Sequence, residues 1–290
     1  MDAHVSAGLR RGVVSAIVLR AMVLAGFIFA SCTTAQSAFA QSFDQTHAAW
    51  TKLLKKNVVL IDAGRASRVD YAAFAADHAA LEAYTAALSS VPQASFEHMA
   101  REQQMAFLIN AYNAFTVKLI LSRYPALDSI RDLGSFVSSP WKQKFIPLLG
   151  ARVSLDAIEQ EMLRARGRYD DPRIHFALNC ASISCPMLRD EAYLADRLEA
   201  QLDDQAHRFM ADRKRNGFDV ATRQLRVSKI FDWYADDFRH GFRGIASTHA
   251  FFARYADTLA DTTEGRELIK SKNVPVTYLG YDWRLNDVQR

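Results

Sequence analysis

Cysteine, glycine and proline are all scarce in this chain, at 3, 12 and 7 of 290 residues. Sparse glycine and proline in a chain that is 50% apolar exclude a disordered or low-complexity protein. No internal repeat is present, which removes solenoids and propellers. No glycine-rich phosphate loop is present, which removes the familiar nucleotide-binding motifs, and no other cofactor motif takes its place. An excess of one charge is also missing. Lys and Arg total 36 against 32 Asp and Glu, with both signs interspersed, and this near-balance argues against nucleic acid as a partner.

The N-terminus has the layout of an export signal. Arg10 and Arg11 precede a largely apolar run from Val13 to Ala30, and Ala38-Phe39-Ala40 has the small-x-small form of a cleavage site. Arg20 interrupts the run, so its uninterrupted core is far shorter than the roughly 20 residues of a spanning helix. We expect residues 1–40 to be removed and 41–290 to form one globular domain, periplasmic or secreted, without a membrane span. Lipid attachment at Cys32 is the alternative, although Phe29 stands where an aliphatic residue is usual. Cleavage takes away three arginines and one aspartate, lowering the net charge from +4 to +2.

Two cysteines then remain, Cys180 and Cys185, both inside the stretch Asp171–Leu188, DPRIHFALNCASISCPML. Ile174, Phe176 and Leu178 alternate with Arg173, His175, Ala177 and Asn179, the pattern of a strand with one apolar and one polar face. Pro186 fits the first turn of a helix, expected to run to about Phe209. A thiolate needs an imidazole or a helix N-terminus nearby, and this stretch offers both. Cys185 would sit before the helix start, where the dipole lowers its pKa. Cys180 follows His175 by five positions, roughly 16 Å on a continuous strand at about 3.3 Å per residue. Only a turn after Asn179 would fold the sulfur back to the imidazole. Asn179 would orient His175 or stabilise an oxyanion, with Ser182 and Cys185 beside the site.

Elsewhere the chain reads as helices with short hairpins. Helical spacing predicts Phe43–Lys56, Tyr71–Leu88 and a long helix from Ser95 to Arg123 whose centre, MAFLINAYNAFTVKLIL, is apolar around most of its circumference. Asn110 and Asn113 share one face of that helix; they either brace neighbouring loops or line the pocket containing His175. Trp141–Val153 and Phe218–Val227 read as hairpins, Leu155–Arg166 as a short helix capped by Ser154, and Ser228 as the cap of KIFDWYADDF. Asp232, Asp236 and Asp237 invite a metal or acid–base reading, but aspartates on an aromatic-backed helix are commonly exposed, and they are read first as that. His47 and His78 have no acidic or thiol companions and read as surface or satisfied histidines. Helices over His249–Leu259 and Glu264–Lys270 and a strand within Asn273–Gly280 complete the chain. The sum is an α+β protein, several helices packed around a small, mostly antiparallel sheet.

The segments FLINAYNAF (107–115), SLDAIEQEMLR (154–164), DPRIHFALNCASISCPML (171–188), SKIFDWYADDF (228–238) and YLGYDWRLN (278–286) together resemble the bacterial form of the domain of unknown function 547 family. That resemblance implies no activity. A more distant similarity to papain-like and transglutaminase-like thiol enzymes rests on a long central helix followed by a sheet carrying a histidine. Those enzymes place the cysteine at the start of the central helix, whereas here the thiols lie beyond His175.

Four readings follow. Cys180 is a nucleophile with His175 as its base, acting on an amide, ester or thioester in the cell envelope. Cys180 and Cys185 form a disulfide, structural rather than redox-active given their spacing. His175 and both thiols hold zinc with a group from elsewhere, although the spacing matches no usual zinc motif. Or the domain is a non-catalytic envelope binding module.

Overall fold

The helix Arg101–Leu121 runs through the middle of the protein, and every residue from Met105 to Val117 on it is buried. Such a helix needs neighbours on all sides, and the rest of the chain supplies them. The computed structural model describes residues 43–135 and 138–289; the expected export signal and Cys32 lie outside the described residues. Among the described residues no helix is long and apolar enough to cross a membrane.

The helix expected over Ser95–Arg123 is two helices, Gln93–Glu97 and Arg101–Leu121. The break is stitched by Gln104, whose Nε2 donates to the carbonyls of Phe96 and Met99 at 3.1 Å each. Likewise Tyr71–Leu88 divides into Tyr71–Ala76 and His78–Ser89. Asp77 marks that division, and its carboxylate accepts from Lys56 at 2.7 Å and Asn57 at 3.1 Å. Helix Ala48–Asn57 buries Trp50, Leu53 and Leu54 as its spacing predicts. His47 is buried beside it, with Nδ1 2.7 Å from the Tyr84 hydroxyl, and burial pushes its pKa down to about 4.

The arrangement is α+β, but the strands fall into three small sheets rather than one. Val58–Ile61 pairs with Ala66–Val69, and Ile146–Leu148 with Ala151–Val153, each antiparallel. The second hairpin turns through Leu149 and Gly150, both in the left-handed region at φ 53° and 79°, as a two-residue hairpin turn requires. The third sheet orders Gly217–Asp219, Gln224–Val227 and Val276–Tyr278, the last pair parallel.

Three expectations around the cysteines are corrected. Residues 174–179 do not form a strand; Ile174–Ala177 is a single helical turn. Asp171 starts it, accepting the Arg173 N–H on its side chain at 2.9 Å. Alternation misleads here because both faces are buried. Arg173, at 1% exposure, is held by Asp171, Glu199 and Asp203 at 2.6–3.0 Å. Nor does a helix begin at Pro186. Residues 186–194 are irregular, a 3₁₀ turn covers Ala195–Arg197, and the helix is Leu198–Ala211. The Ser228-capped helix breaks after one turn, Ile230–Trp233, into a 3₁₀ segment, Ala235–Arg239.

Two apolar clusters meet at the 174–177 turn. Ile174 and Ala177 join the cluster around the central helix. Phe176 points into an aromatic cluster with Phe209, Phe231, Phe238 and Phe251, ring centroids 5.0–6.3 Å apart from its own. What fixes the turn against the central helix is Asn113. Its Nδ2 donates to the Ala177 carbonyl at 2.9 Å and its Oδ1 accepts the Asn179 N–H at 2.9 Å. Asn113→Ala would leave both buried backbone groups unpaired, and each costs about 1–3 kcal/mol. We expect a loss of roughly 2–5 kcal/mol in urea unfolding, read as a lower midpoint at unchanged slope.

Candidate active site

His175, Cys180 and Cys185 all line one cavity of about 270 Å³. The turn after Asn179 brings them there: Ala181 adopts φ 59°, a strained conformation for a residue with a side chain. Asn179 stabilises this bend. Its Oδ1 accepts the Ala181 N–H at 3.0 Å and its Nδ2 donates to the Pro186 carbonyl at 2.7 Å. Asn179 therefore shapes the cysteine loop from within and makes no hydrogen bond to His175.

The partner of the imidazole is Asp237, which the sequence reading assigned to the surface. His175 Nε2 lies 2.6 Å from Asp237 Oδ2, and the ring stacks on Tyr234 at 3.8 Å between centroids. Arg164 reaches the same carboxylate at 2.6 and 3.0 Å and lies over the other part of the arrangement, 4.9 Å from the Tyr234 centroid. Burial opposes charge on Asp237, but the His175 hydrogen bond and the Arg164 guanidinium outweigh it and hold the carboxyl well below its usual range. Among the described residues Nδ1 of His175 has no hydrogen-bond partner, so this nitrogen is left for the cavity. Asp232 and Asp236 do behave as surface residues, paired with Lys229 at 2.8 Å and Arg239 at 3.0 Å. The break after Trp233 is what turns Asp237 inward, and an uninterrupted helical reading carries no signal for it.

The two thiols are free and have different surroundings. Cys180 is half-buried, its Sγ 3.2 Å from the Tyr281 hydroxyl and 3.3 Å from that of Ser182. Burial disfavours its thiolate, but hydrogen bonds from Cys185, Ser182 and Tyr281 outweigh burial and lower its pKa. Cys185 is buried; its Sγ accepts the Cys180 N–H at 2.8 Å and faces the Leu178 carbonyl at 3.7 Å. Burial, and then the neighbouring Cys180 sulfur, push its pKa far up. The helix dipole expected to activate Cys185 is absent, since no helix starts at Pro186.

Ser182 supports the sulfur of Cys180 rather than the cavity wall, and its hydroxyl also meets Tyr281 at 3.3 Å. Asn110 and Asn113 brace the backbone: Asn110 Nδ2 donates to the Tyr193 carbonyl at 2.8 Å and its Oδ1 accepts the Tyr193 N–H at 3.0 Å. Neither asparagine lines the cavity. Among the described residues no group of three or more His, Cys, Asp or Glu is placed to hold a metal ion. Tyr281, within the closing YLGYDW segment, is a site residue that the sequence reading passed over.

The two thiols should separate by alkylation. Iodoacetamide should modify Cys180 in the folded protein, with a rate that rises with pH to a half-point below about 8.5, the value of an ordinary thiol. Cys185 should resist until the protein is denatured. Peptide mass mapping reads both, and equal labelling of the two, or a Cys180 half-point above that of an ordinary thiol, would contradict this assignment.

No curated protein and no solved structure matches the chain. Residues 96–210, which hold the central helix, His175 and both thiols, match the family described as "Protein of unknown function, DUF547". Over that span the chain is similar to the DUF547 family.

Proposed function

We propose that the protein is a thiol-dependent acyl hydrolase or transferase, acting on an amide, ester or thioester in the cell envelope. The observation that carries this reading is that a half-buried thiol of lowered pKa shares a cavity with an imidazole held by a partly buried carboxylate. Nucleophilic catalysis uses a nucleophile, a base and a third group that orients the base; here Cys180 and His175 border one cavity and Asp237 holds the ring.

The roles follow from the contacts. His175 takes the Cys180 proton on Nδ1, while Asp237 fixes the ring through Nε2. The Cys180 sulfur attacks the substrate carbonyl and forms the C–S bond. The bond to the leaving group breaks, and that group departs with the proton from His175. Water, or a second acceptor, then gives its proton to His175 and attacks the thioester; the C–S bond breaks and the Cys180 thiolate returns. Tyr281 is the hydroxyl donor already at the sulfur, and burial followed by the Cys180 charge keeps its own pKa high, so it stays a donor throughout. The Asp-held histidine and the lowered Cys180 pKa favour this reading over a structural disulfide in a binding module, which requires neither.

A panel of acyl esters and thioesters tests the proposal by intact mass. Wild type should gain one acyl group, mapped to Cys180, and Cys180→Ser none as a thioester. Removing a positioned proton carrier costs about 10²–10⁴-fold, so His175→Ala should slow acylation by that order. Asp237→Asn should slow it less, because His175 remains. Acylation that persists unchanged in Cys180→Ala, or an unaffected rate in His175→Ala, would overturn the proposal.

A further inference from the structure

The cavity has a second chemical character that the thiol chemistry does not use. Trp141, Trp233, Trp283 and Tyr281 all line it and form one aromatic surface. Ring centroids are 4.5 Å apart for Tyr281 and Trp283, 4.8 Å for Trp233 and Tyr281, and 5.7 Å for Trp283 with either Trp233 or Trp141. Trp233 keeps 44% of its surface exposed, unusual for so large an apolar side chain. This aromatic surface faces a cavity that also holds Asp156 and Glu159, and no lysine or arginine lines it; Arg131, outside the lining, lies 5.4 Å from the Trp283 centroid.

Glu159 is 7% exposed and, among the described residues, neither it nor Asp156 forms an ion pair. The Tyr234 hydroxyl is its hydrogen-bonding neighbour. Arg164 feels its charge but is committed to Asp237 and to the side chain of Gln160. Asp156 caps the π-helix Ala157–Leu163, and Glu159 and Gln160 follow at i+3 and i+4; all three line the cavity.

Aromatic faces attract cations, and a carboxylate as buried as that of Glu159 is stabilised by one beside it. An anionic ligand would be repelled here. An apolar acyl chain or an uncharged sugar would cover the tryptophans and leave the carboxylates without a counter-charge. We propose that the substrate carries an ammonium group, protonated or quaternary, that seats against the Trp233–Trp283–Tyr281 surface beside Glu159 and Asp156. The volume of about 270 Å³ lies at the low end for ligand pockets, so the cavity takes a headgroup or side chain rather than a whole large ligand. The position of that group relative to a scissile carbonyl at Cys180 rests on the acyl-transfer reading; the ammonium site itself does not.

Binding without turnover separates the two. The chain carrying Cys180→Ser is titrated with choline, with its neutral isostere in which a tert-butyl group replaces the trimethylammonium, and with glucose, following tryptophan fluorescence and calorimetry. Choline should bind saturably, about tenfold more tightly than the isostere, and glucose more weakly still. Glu159→Gln, an isosteric change, should weaken choline by several-fold and leave the isostere unchanged. Trp233→Ala, at an exposed position, should weaken choline without altering the melting temperature. The isostere binding as tightly as choline, glucose binding more tightly, or the absence of saturable choline binding would each overturn the proposal. Because Cys180 is not needed for this readout, failure of acyl transfer leaves an ammonium site standing, and the reverse also holds.

Discussion

Four amide side chains on two helices hold together the long irregular stretch on which the site depends. Between Ala177 and Ala195 the backbone has almost no regular structure, yet most of it is buried. Buried N–H and C=O groups must be paired; residues 181–184 pair with the backbone of 282–286 around one β-bridge, and the flanking residues have neither sheet nor helix to pair them. Asn113 takes the Ala177 carbonyl and the Asn179 N–H; Asn110 takes both polar groups of Tyr193. From the opposite helix, Gln205 donates to the carbonyls of Phe176 at 3.0 Å and Met187 at 2.9 Å. Gln201 takes the Ala192 carbonyl and the Leu194 N–H at 2.8 Å each. The central helix and Leu198–Ala211 thus act as two templates for a segment that could not be buried by itself.

That constraint gives the cysteine loop its shape, and the shape separates the two thiols. They lie five residues apart in sequence and are joined by a hydrogen bond from the Cys180 N–H to the Cys185 sulfur; burial pushes both pKa values up, and only at Cys180 do hydrogen bonds outweigh it. The Cys180 sulfur has hydroxyls on it and reaches the cavity. The Cys185 sulfur serves the backbone, accepting the N–H of Cys180 and facing the Leu178 carbonyl. A strand in this position, as the alternation suggested, would have used these same N–H and C=O groups in a ladder and left no bend at Ala181.

Much of the scaffold was legible because its signals are local. The buried central helix, the Trp50 helix, the hairpin at Leu149-Gly150 and that around Thr222-Arg223 each follow from spacing and turn chemistry in a short window. The brace role of Asn110 and Asn113 was one of two readings, and the cost of a buried unpaired amide pointed to it. Around the site, periodicity failed for a physical reason. Arg173 and His175 alternate with apolar neighbours as strand residues do, but both are buried against carboxylates, so the period of two reports no solvent face. Asp237 was unreadable for a related reason. Only the break between Trp233 and Ala235 turns it from the surface it shares in sequence with Asp232 and Asp236.

The placement of His175 shows why the site lies where two cores meet. A histidine at 4% exposure needs partners for its polar ring, because a buried polar group without one is costly. The aromatic cluster supplies the stacking face through Tyr234, and the 3₁₀ segment of the same chain stretch supplies Asp237. The cluster around the central helix supplies the backbone of residue 177 and, through Asn113, its position. Neither core alone provides both a rigid seat and a carboxylate. At their junction the ring is gripped on one face and at one nitrogen, and the nitrogen left over is the one available to the cavity that Cys180 enters.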